Sequence, residues 1–207
     1  MIAVTAISIL LIESSLSGGF ANFTNQTGTR LVSNASLGSN DVEEKDYAWG
    51  DVDLDGDIDL IVVRKQPFTS TGRKTNVLFM NENGILVDRT LEYATDSDVG
   101  GDLGFHTPTN DRDVRLADVN RDGWLDIITV TTLTDNAAKH LSHPRIYINK
   151  GEIDGVWQGF RFENARIPQM HTTAGPRFCS LAVGDLTGNG FVDLYFGDYD
   201  SGGGQIM

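Results

Sequence analysis

The chain has 207 residues and carries 16 Lys and Arg against 29 Asp and Glu, so its formal net charge at pH 7 is −13. Binding to phosphates requires clustered cations, so this balance argues against a nucleic-acid partner and against attraction to an anionic membrane surface. A hydrophobic content of 40% is enough for a packed core and argues against global disorder. The single cysteine, Cys179, excludes an intramolecular disulfide.

The amino-terminal segment is an apolar run, residues 2–12, followed by small residues. It is shorter than the roughly 20 residues of a transmembrane helix, so we expect no membrane insertion. It predicts a signal peptide over residues 1–17, hence a secreted, periplasmic or cell-surface protein, although no basic residue precedes the run. The alternative is a buried strand of a longer chain. A leading strand and linker are expected over residues 18–45, with the strand at FANFTNQT, residues 20–27.

Three segments of the chain align without gaps. They are YAWGDVDLDGDIDLIVV from Tyr47, VRLADVNRDGWLDIITV from Val114 and LAVGDLTGNGFVDLYFG from Leu181. Their first aspartates, Asp51, Asp118 and Asp185, are 67 residues apart. This equal spacing predicts an internal repeat, with repeat one over 46–112, repeat two over 113–179 and a partial repeat three over 180–207.

The stretches between these segments predict β-hairpins. Residues 76–90 contain Asn83-Gly84 between two apolar runs, which is a strong hairpin signal, and residues 145–164 show the same arrangement with a longer turn. Each unit therefore consists of a strand, an Asp-rich loop, a second strand and a hairpin. The predicted fold class is all-β, an array of four-stranded antiparallel sheets.

The three Asp-rich loops carry oxygen-bearing side chains at positions 1, 3, 5 and 9, counted from the first aspartate. These are Asp51, Asp53, Asp55 and Asp59 in loop one, Asp118, Asn120, Asp122 and Asp126 in loop two, and Asp185, Thr187, Asn189 and Asp193 in loop three. Position 6 is Gly56, Gly123 or Gly190, and position 7, which would ligate through its backbone carbonyl, is Asp57, Trp124 or Phe191. Alternating oxygen ligands and a glycine at a sharp turn suit Ca²⁺ better than the smaller Mg²⁺.

The loops have two alternative interpretations. An EF-hand needs a bidentate glutamate at position 12 and flanking helices, whereas position 12 is Val62, Thr129 or Phe196 and the flanks are β-branched. Asp-rich turns without metal remain the plain alternative. Loop three has only two carboxylates, Asp185 and Asp193, so of the two to three expected Ca²⁺ ions it should bind the weakest.

Small and apolar residues recur beside the loops. The residue before each first aspartate is Gly50, Ala117 or Gly184, which predicts a close backbone approach there. The apolar positions expected to face the core between sheets are Trp49, Leu116 and Val183 before the loops, and Leu60, Ile127 and Leu194 after them.

The pattern D-x-[DN]-x-[DN]-G-x-x-D before an apolar strand is complete in loops one and two, and loop three departs from it at Thr187. It resembles the FG-GAP/VCBS repeats, the calcium-loop blades of integrin-alpha-type β-propellers. The hairpin NVLFMNENGILVDRT is similar to blades of secreted bacterial proteins related to cartilage acidic proteins. The resemblance covers roughly residues 20–200.

The resemblance implies an incomplete propeller of about three blades, because such propellers commonly have seven. The remaining blades would come from a longer chain or another part of an assembly. It also implies a calcium ligand set, which consists of Asp51, Asp53, Asp55, Asp59, Asp118, Asn120, Asp122, Asp126, Asp185, Asn189 and Asp193.

For function, we expect a non-enzymatic scaffold for adhesion or for contact with a protein or glycan ligand. The chain has no Gly-x-Ser-x-Gly, phosphate loop or dinucleotide fingerprint. The alternative is a polysaccharide lyase or hydrolase on the same scaffold, with its active site on the loops between units, where His106, Arg112 and His143 are the candidates. A calcium buffer is a weaker third option, since the helical opening elements of EF-hands are missing.

Overall fold

The computed structural model describes residues 23–35, 37, 41–133, 137–170, 177–198 and 205–206. The predicted signal peptide, residues 1–17, lies outside the described residues. The fold is all-β: its strands form several mainly antiparallel sheets, joined by short helical turns. No helix in the described part of the chain is long and apolar enough to cross a membrane.

The first sheet combines four antiparallel strands with a fifth, parallel strand at its edge. Its strands are β1 (Leu31–Val32), β2 (Glu44–Gly50), β3 (Asp59–Lys65), β4 (Val77–Glu82) and β5 (Ile85–Asp88). The order across the sheet is β1-β5-β4-β3-β2, with β1 parallel to β5. The predicted turn at Asn83-Gly84 connects β4 to β5, and both residues have the positive φ of a tight hairpin turn.

The second sheet repeats this arrangement. Its strands, together with a small hairpin inserted after β9, are β6 (Asp96–Ser97), β7 (Asp111–Ala117), β8 (Asp126–Thr131), β9 (Arg145–Asn149), β10 (Glu152–Ile153), β11 (Val156–Trp157) and β12 (Phe160–Phe162). The order is β6-β12-β9-β8-β7, with β6 parallel to β12, while β10 and β11 pair only with each other. The longer turn that the sequence predicts is this inserted hairpin.

The third sheet is described over three strands. They are β13 (Phe178–Gly184), β14 (Asp193–Asp198) and β15 (Gln205–Ile206), paired antiparallel in that order. The strands that precede the three Asp-rich loops, β2, β7 and β13, begin at residues 44, 111 and 178, so they keep the 67-residue spacing of the sequence.

Within the described residues, helical structure is limited to single turns. These are α1 (Thr27–Arg30), α2 (Thr90–Tyr93), α3 (Lys139–Ser142) and two 3₁₀ turns, Gly104–His106 and Asn164–Arg166. The expected strand at residues 20–27 is wrong in its described part, because residues 23–26 are irregular and Thr27 begins α1. The neighbouring strand β1 starts only at Leu31.

The three sheets pack face to face in chain order. One core joins the first sheet to the second, with Ile61 and Leu78 against Val114 and Ile127, and a second core joins the second sheet to the third. β3 and β8 each have a hydrogen-bonded strand on both sides, and every residue of both strands is buried. The consecutive apolar residues 60–63 of β3 and 127–128 of β8 therefore reflect burial on both faces.

Most of the positions predicted to face a core do so. Ile127 and Leu194 are buried in the cores between sheets, and Leu116 and Val183 pack against those cores. Leu60 is buried instead in a separate cluster on the outer face of the first sheet, with Leu37 and Phe79. Trp49 lies opposite Leu60 on the same face of the first sheet, but its side chain is 60% exposed, so the prediction is wrong there.

Each junction between sheets is also fixed by one carboxylate. Asp46 of β2 accepts a hydrogen bond from the Val114 N–H of β7, with an N···O distance of 3.1 Å. Asp113 of β7 accepts one from the Leu181 N–H of β13, at 2.8 Å. The two aspartates occupy equivalent strand positions, so the relation between the first two sheets recurs between the second and third.

Candidate metal centre

The three Asp-rich loops connect β2 to β3, β7 to β8 and β13 to β14, and they share one backbone conformation. In each loop, positions 4 and 6 adopt the left-handed region, with positive φ at Leu54 and Gly56, Arg121 and Gly123, and Gly188 and Gly190. The glycine at position 6 was predicted from the sequence. The left-handed position 4 was not, because Leu54 and Arg121 are residues that seldom adopt it.

The first aspartate of each loop closes the turn onto position 6. In each loop, one carboxylate oxygen of this aspartate accepts the backbone N–H of the glycine at position 6. The N···O distances are 3.1 Å for Asp51 and Gly56, 2.9 Å for Asp118 and Gly123, and 2.7 Å for Asp185 and Gly190. The side chain at position 5 accepts the N–H of position 7 in all three loops, which places Asp57, Trp124 and Phe191 at matching points. The loops are therefore one structural element that occurs three times.

The aspartate at position 9 joins the end of the loop to its beginning. Asp59, Asp126 and Asp193 each accept the N–H of position 2 in their own loop, with N···O distances of 3.0, 2.9 and 2.7 Å. In the first two loops the other carboxylate oxygen accepts a second N–H, from Asn81 to Asp59 and from Asn149 to Asp126, both at 2.8 Å. Position 9 is thus a structural anchor as well as a candidate ligand.

Loop one brings three carboxylates together. One carboxylate oxygen from each of Asp51, Asp53 and Asp59 lies within 4.8 Å of the other two. The second oxygen of Asp51, Oδ1, is buried and has no hydrogen-bond partner among the described residues. Burial raises the pKa of Asp53, and it raises the pKa of Asp59 to about 6, with the neighbouring carboxylates adding to both shifts. Carboxylates held this close together are a donor set that a divalent cation can neutralise.

Loop two has a related but less acidic donor set. The Asn120 amide donates to an oxygen of Asp122 at 2.8 Å, and its carbonyl oxygen accepts the Asp122 N–H at 3.0 Å. Burial raises the pKa of Asp126 to about 6. The loop therefore presents three carboxylates and one amide oxygen around the same turn, which fits a hard divalent cation.

Loop three keeps the backbone conformation but is open to solvent. Asp185 accepts the N–H groups of Gly188, Asn189 and Gly190, and these bonds lower its pKa. Thr187 supplies a hydroxyl in place of a carboxylate, and Asp193 is only half-buried. Fewer charges and more water make this the poorest of the three donor sets.

Two asparagines beside the loops were missed by sequence reasoning. The Asn149 side chain donates from Nδ2 to the Val52 carbonyl oxygen of loop one at 2.7 Å, across the junction between the first two sheets. Asn81 donates from its side chain to the Ile58 carbonyl oxygen at 3.1 Å, within its own sheet. Both precede a hairpin glycine in matching stretches, FMNENG and YINKG, and this recurrence was the available signal.

The three residues proposed for an enzymatic alternative are not brought together. Arg112 lines a cleft that includes neither of the others, and His106 lines a separate groove beside Asn76 and Thr90. His143 is buried, and its imidazole contacts Ser142 and the Met170 N–H. These positions do not assemble into one set of converging groups.

Comparison with known proteins adds no relative: the chain matches no protein-family model, and no curated protein matches it significantly.

Proposed function

We propose that this chain is a calcium-binding, non-enzymatic scaffold of the FG-GAP/VCBS type, in which Ca²⁺ stabilises the Asp-rich loops and the sheets present a surface to a protein or glycan ligand. The observation that carries the proposal is the cluster of Asp51, Asp53 and Asp59 oxygens within 4.8 Å, together with the buried, unbonded Oδ1 of Asp51. Without a cation, carboxylates packed this closely repel one another.

The residues present fit calcium. Oxygen donors are the ligands that Ca²⁺ prefers, and it accepts six to eight of them in flexible geometry, which a loop with alternating donors supplies. The candidate ligands in loop one are Asp51, Asp53, Asp55 and Asp59, with the carbonyl of Asp57. Bound Ca²⁺ would supply positive charge that offsets their repulsion.

The protein's own residues hold the loop in shape for that ion. The backbone N–H of Gly56 orients one oxygen of Asp51. The N–H groups of Val52 and Asn81 hold both oxygens of Asp59, so the carboxylate cannot rotate freely. A site held this way gives its binding free energy to the stability of the folded sheets.

The stacked sheets support a propeller-like array as the architecture of the whole. Each of the first two sheets has four antiparallel strands, and the sheets follow one another with the same carboxylate link at each junction. Tyr47 and Trp49 are exposed on the outer face of the first sheet, and Tyr195 is exposed in the third. Further blades packed on these faces would cover these aromatic side chains.

We also propose an extracytoplasmic location for the protein, because calcium at millimolar concentration there fills even weak sites.

The test is a calcium titration of chelator-stripped protein by calorimetry, with thermal unfolding in Ca²⁺ and in Mg²⁺. We expect two to three sites and a rise in Tm that Ca²⁺ produces and Mg²⁺ at equal concentration does not. Asp53→Asn should remove or weaken one site. Asp154→Asn is the matched control, because it removes one carboxylate from an exposed turn outside the three loops.

The outcomes separate the proposal from Asp-rich turns without metal. If the folded protein takes up no Ca²⁺ and its Tm does not change, the loops are turns held by hydrogen bonds alone. If Asp154→Asn lowers calcium binding as much as Asp53→Asn does, the effect is one of net charge and the assignment to loop one fails.

A further inference from the structure

A cleft of about 370 Å³ lies at the ends of the strands opposite to the Asp-rich loops. Its lining includes Glu44, where β2 begins, Lys65, where β3 ends, and Arg112, the second residue of β7. Arg177, immediately before β13, also lines it. All three sheets therefore contribute residues to this cleft. The cleft is distant from the candidate metal centres, because the Asp-rich loops follow the other ends of β2, β7 and β13.

The cleft is cationic, although the chain as a whole has a net charge of −13. Three cationic side chains, Lys65, Arg112 and Arg177, line it together with one carboxylate, Glu44. Lys65 neutralises that carboxylate, with an N···O distance of 2.9 Å. Of the three cations, Arg112 is the exposed one.

Arg112 is presented to the cleft by a β-bulge. In the pairing of β7 with β8, Asp111 lies opposite Thr131 and Asp113 lies opposite Val130, so Arg112 is the extra residue. Bulges redirect a side chain and recur beside functional sites. The Arg112 side chain is exposed while both neighbouring aspartates are buried. Hydrogen bonds from Lys65 and Phe68 lower the pKa of Glu44, and the positive charge of Arg112 contributes to that shift after them.

An aromatic ring stands at the edge of the same cleft. Phe68 is fully exposed and has a φ of +56°, a conformation that bulky residues rarely adopt. Its N–H donates to Glu44 at 3.0 Å, the same carboxylate that Lys65 holds. Backbone held in a rare conformation to display an exposed aromatic ring is typical of a recognition site. The neighbouring Thr69 adds a hydroxyl to the lining.

We propose that this cleft binds an acidic oligosaccharide, with the Arg112 guanidinium paired to a sugar carboxylate and the Phe68 ring against the apolar face of a pyranose. A planar guanidinium matches a carboxylate with two parallel hydrogen bonds, and an aromatic face offers apolar contact to a sugar ring. A small cationic cleft on an acidic protein suits a short anionic segment better than a duplex. This assignment deepens the proposed scaffold function by naming its ligand class.

The test is binding of a glucuronate-containing tetrasaccharide to the full chain in calcium buffer, measured by calorimetry. The comparison ligand is the same tetrasaccharide with its carboxylates reduced to alcohols. We expect the acidic form to bind at least about tenfold more tightly, with affinity that falls as salt rises, because the pair is partly screened. Equal affinity for the two sugars would overturn the proposal.

Matched variants locate the site. Arg112→Gln should weaken binding of the acidic sugar about tenfold, the loss of one charge-assisted pair. Arg161→Gln on β12, which removes the same charge outside the cleft lining, should leave it unchanged. Phe68→Ala should weaken both sugars, whereas Phe68→Tyr, which keeps the ring, should bind like the unsubstituted protein. If Arg112→Gln and Arg161→Gln behave alike, the cleft is not the site.

Two further outcomes are distinguishable. If a short polyglutamate binds as tightly as the acidic sugar, the cleft recognises carboxylates in general and the glycan assignment fails. If calcium gives no thermal stabilisation while the sugar still binds through Arg112, the calcium proposal fails and the cleft assignment stands. The affinity of each variant is measured at a temperature equally far below its own Tm, so that a loss of folding is not read as a loss of binding.

Discussion

Loop one and loop three have the same backbone turn, and in both the aspartate at position 1 accepts the N–H of the glycine at position 6, yet their surroundings differ. Loop one lies beside the second sheet: a Cβ placed on Gly50 would lie 2.5 Å from Leu116 Cδ1, and Asn149 reaches across to the Val52 carbonyl oxygen. Beside Gly184, the corresponding residue before loop three, no described atom lies within 4 Å of such a Cβ. The neighbouring sheet, and not the loop's own residues, therefore buries and closes loop one.

The turn and the burial of the candidate site therefore have separate origins. The turn follows from local residues, since all three loops form it. Burial comes from the sheet packed against the loop, and with it the raised pKa of Asp59 in loop one. Asp185 in loop three, which is exposed and accepts three N–H groups, has a lowered pKa instead. Substitutions at equivalent positions in the two loops should therefore have unequal effects.

The largest difference is expected at position 9. Asp59→Ala leaves the N–H groups of Val52 and Asn81 without their acceptor, and should lower the free energy of unfolding in calcium-free buffer by about 2 kcal/mol, even after relief of charge repulsion. Asp193→Ala should cost less than about 1 kcal/mol, because the N–H groups it frees are exposed to water. Urea denaturation measures both. Equal losses would contradict the role of burial.

The second difference concerns the glycines before the loops. Gly50→Ala forces Leu116 to shift and should lower the free energy of unfolding by about 1–3 kcal/mol. Gly184→Ala meets open space and should change it by less than about 0.5 kcal/mol. The pair is compared by thermal and urea unfolding under the same conditions. A neutral Gly50→Ala would show that the first two sheets are not packed closely at this point.

The smallest predicted effect is a gain in calcium affinity at loop three. Thr187→Asp supplies the missing carboxylate at position 3 and should tighten calcium binding at the weakest site about tenfold, because ligand charge count is one determinant of calcium affinity. Thr187→Asn is the matched control, since it has nearly the same shape and an oxygen without the charge. Calorimetric titration distinguishes them. No gain from the aspartate would mean that exposure, and not charge, limits this loop.

The sequence predicts the fold well where local chemistry is sufficient. The 67-residue spacing locates the strands that precede the Asp-rich loops, and Asn83-Gly84 marks the hairpin turn that the structure has. The parallel strands β1 and β6 were not predicted, because two residues carry no recognisable period. The failure at Trp49 has a different cause: an apolar residue in a strand is buried only where another element covers it.

The candidate site was predicted in part. Spacing alone identifies the residues at positions 1, 3, 5, 6, 7 and 9, and calcium as their ion remains a prediction. The asparagines could not be assigned from the sequence, because the contact between Asn149 and Val52 joins residues 97 apart in the chain. Such pairs depend on how the sheets pack, and local pattern contains no information about that packing.

Asn149 has one further consequence. Its backbone N–H holds Asp126 of loop two at 2.8 Å, while its side chain holds the Val52 carbonyl oxygen of loop one at 2.7 Å. One residue is therefore a shared part of two candidate ion sites in different sheets. An ion that orders either loop also lowers the entropy cost of ordering the other, and this coupling is reciprocal. The first two loops should accordingly fill cooperatively. Loop three meets loop two through a different kind of contact, the Arg121 guanidinium 4.8 Å from the centroid of the Phe191 ring.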